Sequence, residues 1–226
     1  MKNIFFLVNT SDEFDFAGVA EELLPGVQVE TGDVLPSRLE EYSLVVLWSI
    51  RKLLPEVVGR KNVVLFHSSD LPRGRGWAPI YNTIVNREEF FTVTGIIPQK
   101  DADTGDIVIR ARFAMRPEYT ADFLRRTDDR ISLMLVAKLL KKFSGGPLRG
   151  IPQQGTGTYY PRRNPGGNEV PLEKPLGEVV DHVRACEPAH PAFFRYKGVK
   201  YTISIVPERA PDFPGDLTIE FPVDTV

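Results

Sequence analysis

The chain has 226 residues, 42% of them hydrophobic, which suits one ordinary domain with a real core plus a smaller appendage and excludes a largely disordered protein. A formal charge of −2 gives no electrostatic reason to expect general nucleic-acid binding and leaves a small anionic partner open. One cysteine, Cys186, allows no internal disulfide, so the cytoplasm is the expected compartment.

In chain order, Met1 to Asn9 carries a short apolar run with no small-residue cleavage site after it, and Ile4 to Val8 reads as a first strand rather than a signal peptide. A helical pattern from about Phe16 to Leu24 ends at Pro25-Gly26, and a short strand is expected at Val27 to Glu30. Ser43 to Trp48 and Asn62 to Phe66 are near-continuous apolar runs, as strands covered on both faces appear, with a short helix expected at Leu53 to Val58 between them. This alternation predicts an α/β fold with a Rossmann-like, mostly parallel sheet.

Phe91 to Ile97 and Ile107 to Phe113 are β-rich and flank the turn Asp101 to Asp106, which predicts a hairpin-like pair with an acidic loop at one end. A long helical pattern runs from Pro117 to Phe143 and stops at Gly145-Gly146-Pro147. No apolar stretch approaches the roughly 20 residues needed to cross a bilayer, so no membrane role is expected. Gly150 to Gly167 is rich in Gly, Pro, Gln, Thr and Arg without a period, which places a boundary between a domain of residues 1–149 and a linker with a small C-terminal subdomain over 150–226. That subdomain is expected to hold a helix at Leu176 to Cys186 and strands at Val199 to Ile205 and Leu217 to Phe221, and its short strands offer a means of pairing as a homodimer.

Chemistry concentrates between His67 and Asp106. His67 closes an apolar strand, where an α/β fold presents side chains to ligands, and a carboxylate partner would let it exchange a proton near neutral pH. Asp103 is the better partner candidate. On pattern alone, a strand-end histidine is more often a hydrogen-bonded core residue, and Asp-Thr-Gly-Asp is a common tight turn. Calcium is disfavoured at Asp101-x-Asp103-x-Gly105, because an EF-hand needs its glycine one place later and a final glutamate where Arg112 stands. Arg73-Gly74-Arg75-Gly76 pairs flexible backbone with two guanidinium groups, a solvated turn or an anion cradle, and it fits no nucleotide fingerprint.

Taken together, these segments resemble the folate-dependent N-formyltransferases, the family of methionyl-tRNA, glycinamide ribonucleotide and sugar N-formyltransferases. Arg51-Lys52-Leu53-Leu54-Pro55 resembles the family's folate-pocket segment, and His67-Ser68-Ser69-Asp70-Leu71-Pro72 resembles its His-Pro-Ser-Leu-Leu-Pro. Arg75-Gly76-Trp77-Ala78-Pro79 is similar to Arg-Gly-x-x-Pro, and Asp103-Thr104-Gly105-Asp106 to the Asp-x-Gly-Asp turn, so the likeness covers roughly Ser43 to Val108. It implies transfer of a formyl group from 10-formyltetrahydrofolate to a primary amine. His67 would help stabilise the tetrahedral oxyanion, and Asp103 would organise His67 and the path that removes the amine proton. The pterin would lie against Arg51, Leu53, Leu54 and the Asp101-Ala102 backbone.

One departure stands out. The family has asparagine two residues before the histidine, and this chain has Leu65, which donates no hydrogen bond. Asn82 and Asn86 are replacements by residue type, whereas Asn62 is expected at the strand's opposite end. The tRNA enzyme's Gly-Thr-Pro-x-Phe opening is also absent, since Val8 is followed by Asn9-Thr10-Ser11-Asp12-Glu13-Phe14. The leading expectation is therefore a small acceptor, the amino group of a nucleotide-linked sugar, with Arg73, Arg75, Tyr81, Asn82, Tyr160 and Arg162 as candidate contacts through stacking and phosphate pairing. The alternatives are an inactive folate- or nucleotide-binding homologue and a methionyl-tRNA-type enzyme.

Overall fold

The computed structural model describes residues 2–9 and 22–222. Its centre is a seven-stranded sheet built from β1 (Asn3–Leu7), β2 (Gln28–Gly32), β3 (Leu44–Leu47), β4 (Val63–His67), β6 (Phe90–Ile96), β7 (Ile107–Ala114) and β11 (Thr218–Glu220), in the order β11-β7-β6-β4-β3-β1-β2. β2, β1, β3 and β4 run parallel, and β6, β7 and β11 continue the sheet antiparallel. The α/β expectation holds, with the parallel pattern confined to the first half of the sheet and the expected hairpin of β6 and β7 extending it. The expected helix at Phe16 to Leu24 lies almost wholly outside the described residues.

The apolar runs form these strands because both faces are covered. Ile4, Phe6, Leu44, Val46 and Val64 enter the large core beneath the long helix α2 (Ala121–Phe143), while Phe5, Leu7, Val45, Leu47 and Val63 pack under loops on the other face. Helix α2 begins where Thr120 accepts a hydrogen bond from the Phe123 amide, and Asp122 near its start and Lys141 and Lys142 near its end suit the helix dipole. Between β3 and β4 the expected short helix is a single 3-10 turn at Pro55–Val57, too brief to complete α-helical bonding.

Some elements carried no legible signal. Helix α1 (Pro79–Val85) is only seven residues long and contains Asn82, Thr83 and Val85, weak helix formers held by burial of Ile80 and Ile84. Strand β9 (Ala192–Tyr196) pairs with β10 (Val199–Ile203) as a hairpin beside helix α3 (Leu176–Arg184), whose Val179 and Val183 close a small separate core with Val170 and Ala192.

The segment after α2 is an ordered surface loop. Ile151 bridges to Ile107, and the two-residue strand β8 (Tyr159–Tyr160) pairs with β5 (Arg75–Gly76). β11, expected among the C-terminal strands, lies on the edge of the large sheet against β7 instead of beside the hairpin.

Candidate active site

His67 is the last residue of β4 and is 9% exposed. Its ring Nε2 lies 2.8 Å from the carbonyl oxygen of Gly74. A carbonyl only accepts, so Nε2 carries a hydrogen and Nδ1 is the nitrogen turned toward Asp103. Asp103 Oδ1 is 3.6 Å from Nδ1, near enough for strong electrostatic interaction and too far for a direct hydrogen bond. The two residues singled out from sequence are thus brought together, 36 positions apart in the chain, by β6 and β7.

Asp103 is held tightly. Its Oδ2 accepts from the Gly76 amide at 2.9 Å, and its backbone lies in the left-handed region with φ of 56°. The turn around it is locked from two sides. A Cβ on Gly105 would come within 1.8 Å of the Ile97 carbonyl oxygen, so only glycine permits the turn to fold back on β6. Gln153, which sequence reasoning missed, donates through Nε2 to the carbonyls of Asp103 at 2.7 Å and Gly105 at 2.9 Å, and its Oε1 accepts from Arg75.

The Gly74–Gly76 turn completes the frame. Gly76 has φ of 92°, and a Cβ there would lie 2.4 Å from the Tyr160 carbonyl oxygen. Gly74 donates to Thr158 Oγ1 at 2.8 Å. These contacts fix Gly74 O against His67 and Gly76 N–H against Asp103, so one short turn holds both members of the pair.

Leu65 shares His67's face of the strand, two residues earlier, and packs with Leu71, Ile96 and Ile107. No donor replaces the missing asparagine among the named candidates. Asn82 Nδ2 is committed to the carbonyls of Trp77 and Ala78, and Asn86 Nδ2 to the Tyr160 hydroxyl. Asn62 bonds Leu39 O and Tyr42 O at the far end of β4, as expected.

A cavity of about 430 Å³ opens beside the ends of β1 and β2, within the usual size range of small-molecule sites, lined by Leu7, Asp33, Leu54, Lys52, Glu56 and Arg60 among others. Of the residues expected against the pterin, Leu54 lines this cavity, while Leu53 is 63% exposed and Arg51, Asp101 and Ala102 are surface residues of neighbouring loops. The Gly59 amide donates to Pro98 O, tying the 3-10 turn to the start of the acidic loop.

The expected acceptor contacts divide. Arg73 pairs with Glu88 at 3.2 Å, Arg75 with Gln153, and the Tyr81 hydroxyl lies 2.8 Å from His182 Nδ1. Arg162 stacks over the Trp77 ring at 4.9 Å, exposed, with no carboxylate partner among the described residues. Its neighbour Arg163 covers Tyr81, its guanidinium carbon 3.2 Å from the ring centre. The sequence pattern carries no sign of which ring each arginine meets.

No family model matches the chain. In sequence it is similar to methionyl-tRNA formyltransferase of Acetivibrio thermocellus, 29% identical over 87% of this chain and 66% of that protein. In fold it is similar to methionyl-tRNA formyltransferase from Clostridium thermocellum, with a TM-score of 0.74, 21% identity and coverage of 98% of this chain and 100% of that one. A 4-N formyltransferase from Francisella tularensis superposes with a TM-score of 0.71 at 18% identity, covering 92% and 99% of the two chains. HypX from Aquifex aeolicus in complex with tetrahydrofolic acid gives 0.68 at 20% identity, covering 91% of this chain and 37% of that one. The chain has the formyltransferase fold, and the family resemblance read from its motifs is shared by its relatives and structural neighbours.

Proposed function

We propose that this chain is an N-formyltransferase that moves a formyl group from 10-formyltetrahydrofolate to the primary amine of a nucleotide-linked sugar. The observation that carries the reading is the buried His67–Asp103 pair, set by a single glycine turn in a formyltransferase fold. The cavity beside Leu54 has apolar walls that suit a pterin, and its charged lining is balanced, Lys52 and Arg60 against Asp33 and Glu56. Bound there, the folate would supply a formyl group on a nitrogen that can leave.

The acceptor amine must be neutral to attack, and Asp103 is placed to take the proton it loses. Asp103 Oδ2 is satisfied by Gly76, whereas Oδ1 has lone-pair capacity left at its 3.6 Å separation from His67. The ring N–H of His67, held on Gly74 O before substrate arrives, is the donor that would turn to the developing oxyanion. Arg162, flat on Trp77 and lacking a carboxylate, suits a phosphate of the acceptor.

Purified protein incubated with 10-formyltetrahydrofolate and a panel of amino-sugar nucleotides should yield a product heavier by one formyl group, absent with His67→Ala. Tight folate binding with no product from any acceptor would support the inactive homologue, the reading that Leu65 favours. Product from aminoacylated initiator tRNA alone would support the tRNA-type enzyme that the sequence relative favours.

A further inference from the structure

Helix α2 buries a stripe of apolar side chains at Leu124, Ile131 and Leu135, the spacing of a core-facing helix. Asp128 stands within that stripe, one turn after Leu124 and just before Ile131, and it too is buried. A carboxyl group in such a place costs free energy that a leucine would not, unless its oxygens are satisfied or used.

Only one oxygen is satisfied. Asp128 Oδ2 accepts from Ser68 Oγ at 2.8 Å, while Oδ1 is buried with no hydrogen-bond partner. Ser68 is the residue that follows His67. The next peptide is pinned as well, because Thr94 Oγ1 donates to Ser69 O at 2.6 Å. The chain leaving β4 is therefore fastened by a helix on one side and by β6 on the other.

We propose that Asp128 is a positioning residue of the active site, a third carboxyl that fixes the backbone after His67 through Ser68. This rests on the formyl-transfer reading only for its consequence in turnover. The groups facing Asp128 are Ser68 and His67 from the end of β4 and Arg125 one helical turn earlier. Arg125 is itself engaged with Glu187 at 2.6 Å, and Asp103 Oδ1 stands 3.6 Å from His67 Nδ1. Burial pushes the Asp128 carboxyl above the usual range, while Arg125, Ser68 and His67 act against that rise.

The test compares the His67 imidazole NMR signals of the full chain at one fixed pH, assigned by His67→Ala, in wild type, Asp128→Asn and Asp128→Leu. Asparagine keeps the shape and can still accept from Ser68, whereas leucine keeps the bulk and loses the acceptor. The expected result is His67 signals close to wild type in Asp128→Asn and displaced in Asp128→Leu, with kcat for formyl transfer kept by asparagine and lowered by leucine. Unmoved His67 signals in a folded Asp128→Leu variant overturn the proposal. Ser68→Ala gives the second arm: kcat for formyl transfer should fall with KM for the acceptor unchanged, and a change confined to KM counts against positioning. The NMR comparison needs no turnover, so a chain with no formyl transfer but displaced His67 signals in Asp128→Leu would refute the proposed activity and leave this role standing.

Discussion

Asp103 concentrates the consequences of single side chains, because its charge and its hydrogen-bonding shape can be separated. Asp103→Asn preserves an acceptor for the Gly76 amide but removes the carboxylate, so formyl transfer should fall by roughly 10² to 10⁴, with thermal stability near wild type, as read by product mass and melting curves. Leu65→Asn is the complementary change. It places an amide two residues before His67, on the same face, and should raise kcat, since loss of a comparable donor elsewhere costs about 2.7 to 4 kcal/mol. The same substitution inserts a polar group among Leu71, Ile96 and Ile107, so a stability loss of about 1–3 kcal/mol in urea titration should accompany it. Both residues were legible in the sequence, one by its motif and one by its departure from it. Gln153 was not, because a glutamine in a Gly- and Pro-rich loop has no pattern that says which carbonyls it will reach.

Turns and helices govern whether that pair is held at all. Gly105→Ala would drive a Cβ against the Ile97 carbonyl, a contact with backbone that no side-chain rotation relieves. The variant should lose about 1–3 kcal/mol or more in denaturant unfolding, with folate binding lost alongside, as calorimetry would show. Helix α3 has its own titrating link to α1 through His182 Nδ1 and the Tyr81 hydroxyl. Burial, with the Arg163 guanidinium close by, holds the His182 ring below its ordinary value near 6.5. The folded state therefore prefers the neutral ring, and the unfolded chain takes up the proton first as pH falls. Stability should be full above about pH 6.5 and decline below it until the folded ring also protonates, a decline that His182→Gln should diminish in melting curves recorded between pH 7 and 5. The sequence announced α3 by its spacing, while α1 was hidden because seven residues rich in weak helix formers are helical only where Ile80 and Ile84 are buried.

The whole chain matters to the site because residues beyond the first 149 reach back across it. Gln153 braces the acidic turn, Tyr159–Tyr160 pairs with the turn that holds His67 and Asp103, and Thr218–Glu220 covers the edge of β7. A chain ending at Arg149 would expose that edge and release both turns. It should be less soluble than the full chain and bind folate weakly or not at all, which size-exclusion chromatography and calorimetry would measure. Among the described residues, no helix is long and apolar enough to cross a membrane.

By itself the sequence determined the strands of the large sheet, the long helix and the two residues that meet at the site, because apolar periodicity and the short motifs around His67 and Asp103 are local properties of the chain. Tertiary structure alone decided how those residues are held. The 3.6 Å separation, the sharing of one glycine turn, the return of Gln153, and the carboxyl of Asp128 placed behind Ser68 all join positions far apart in sequence. Such contacts follow from how the sheet and helices pack, and a one-dimensional pattern carries no term for the distance between two elements it has correctly named.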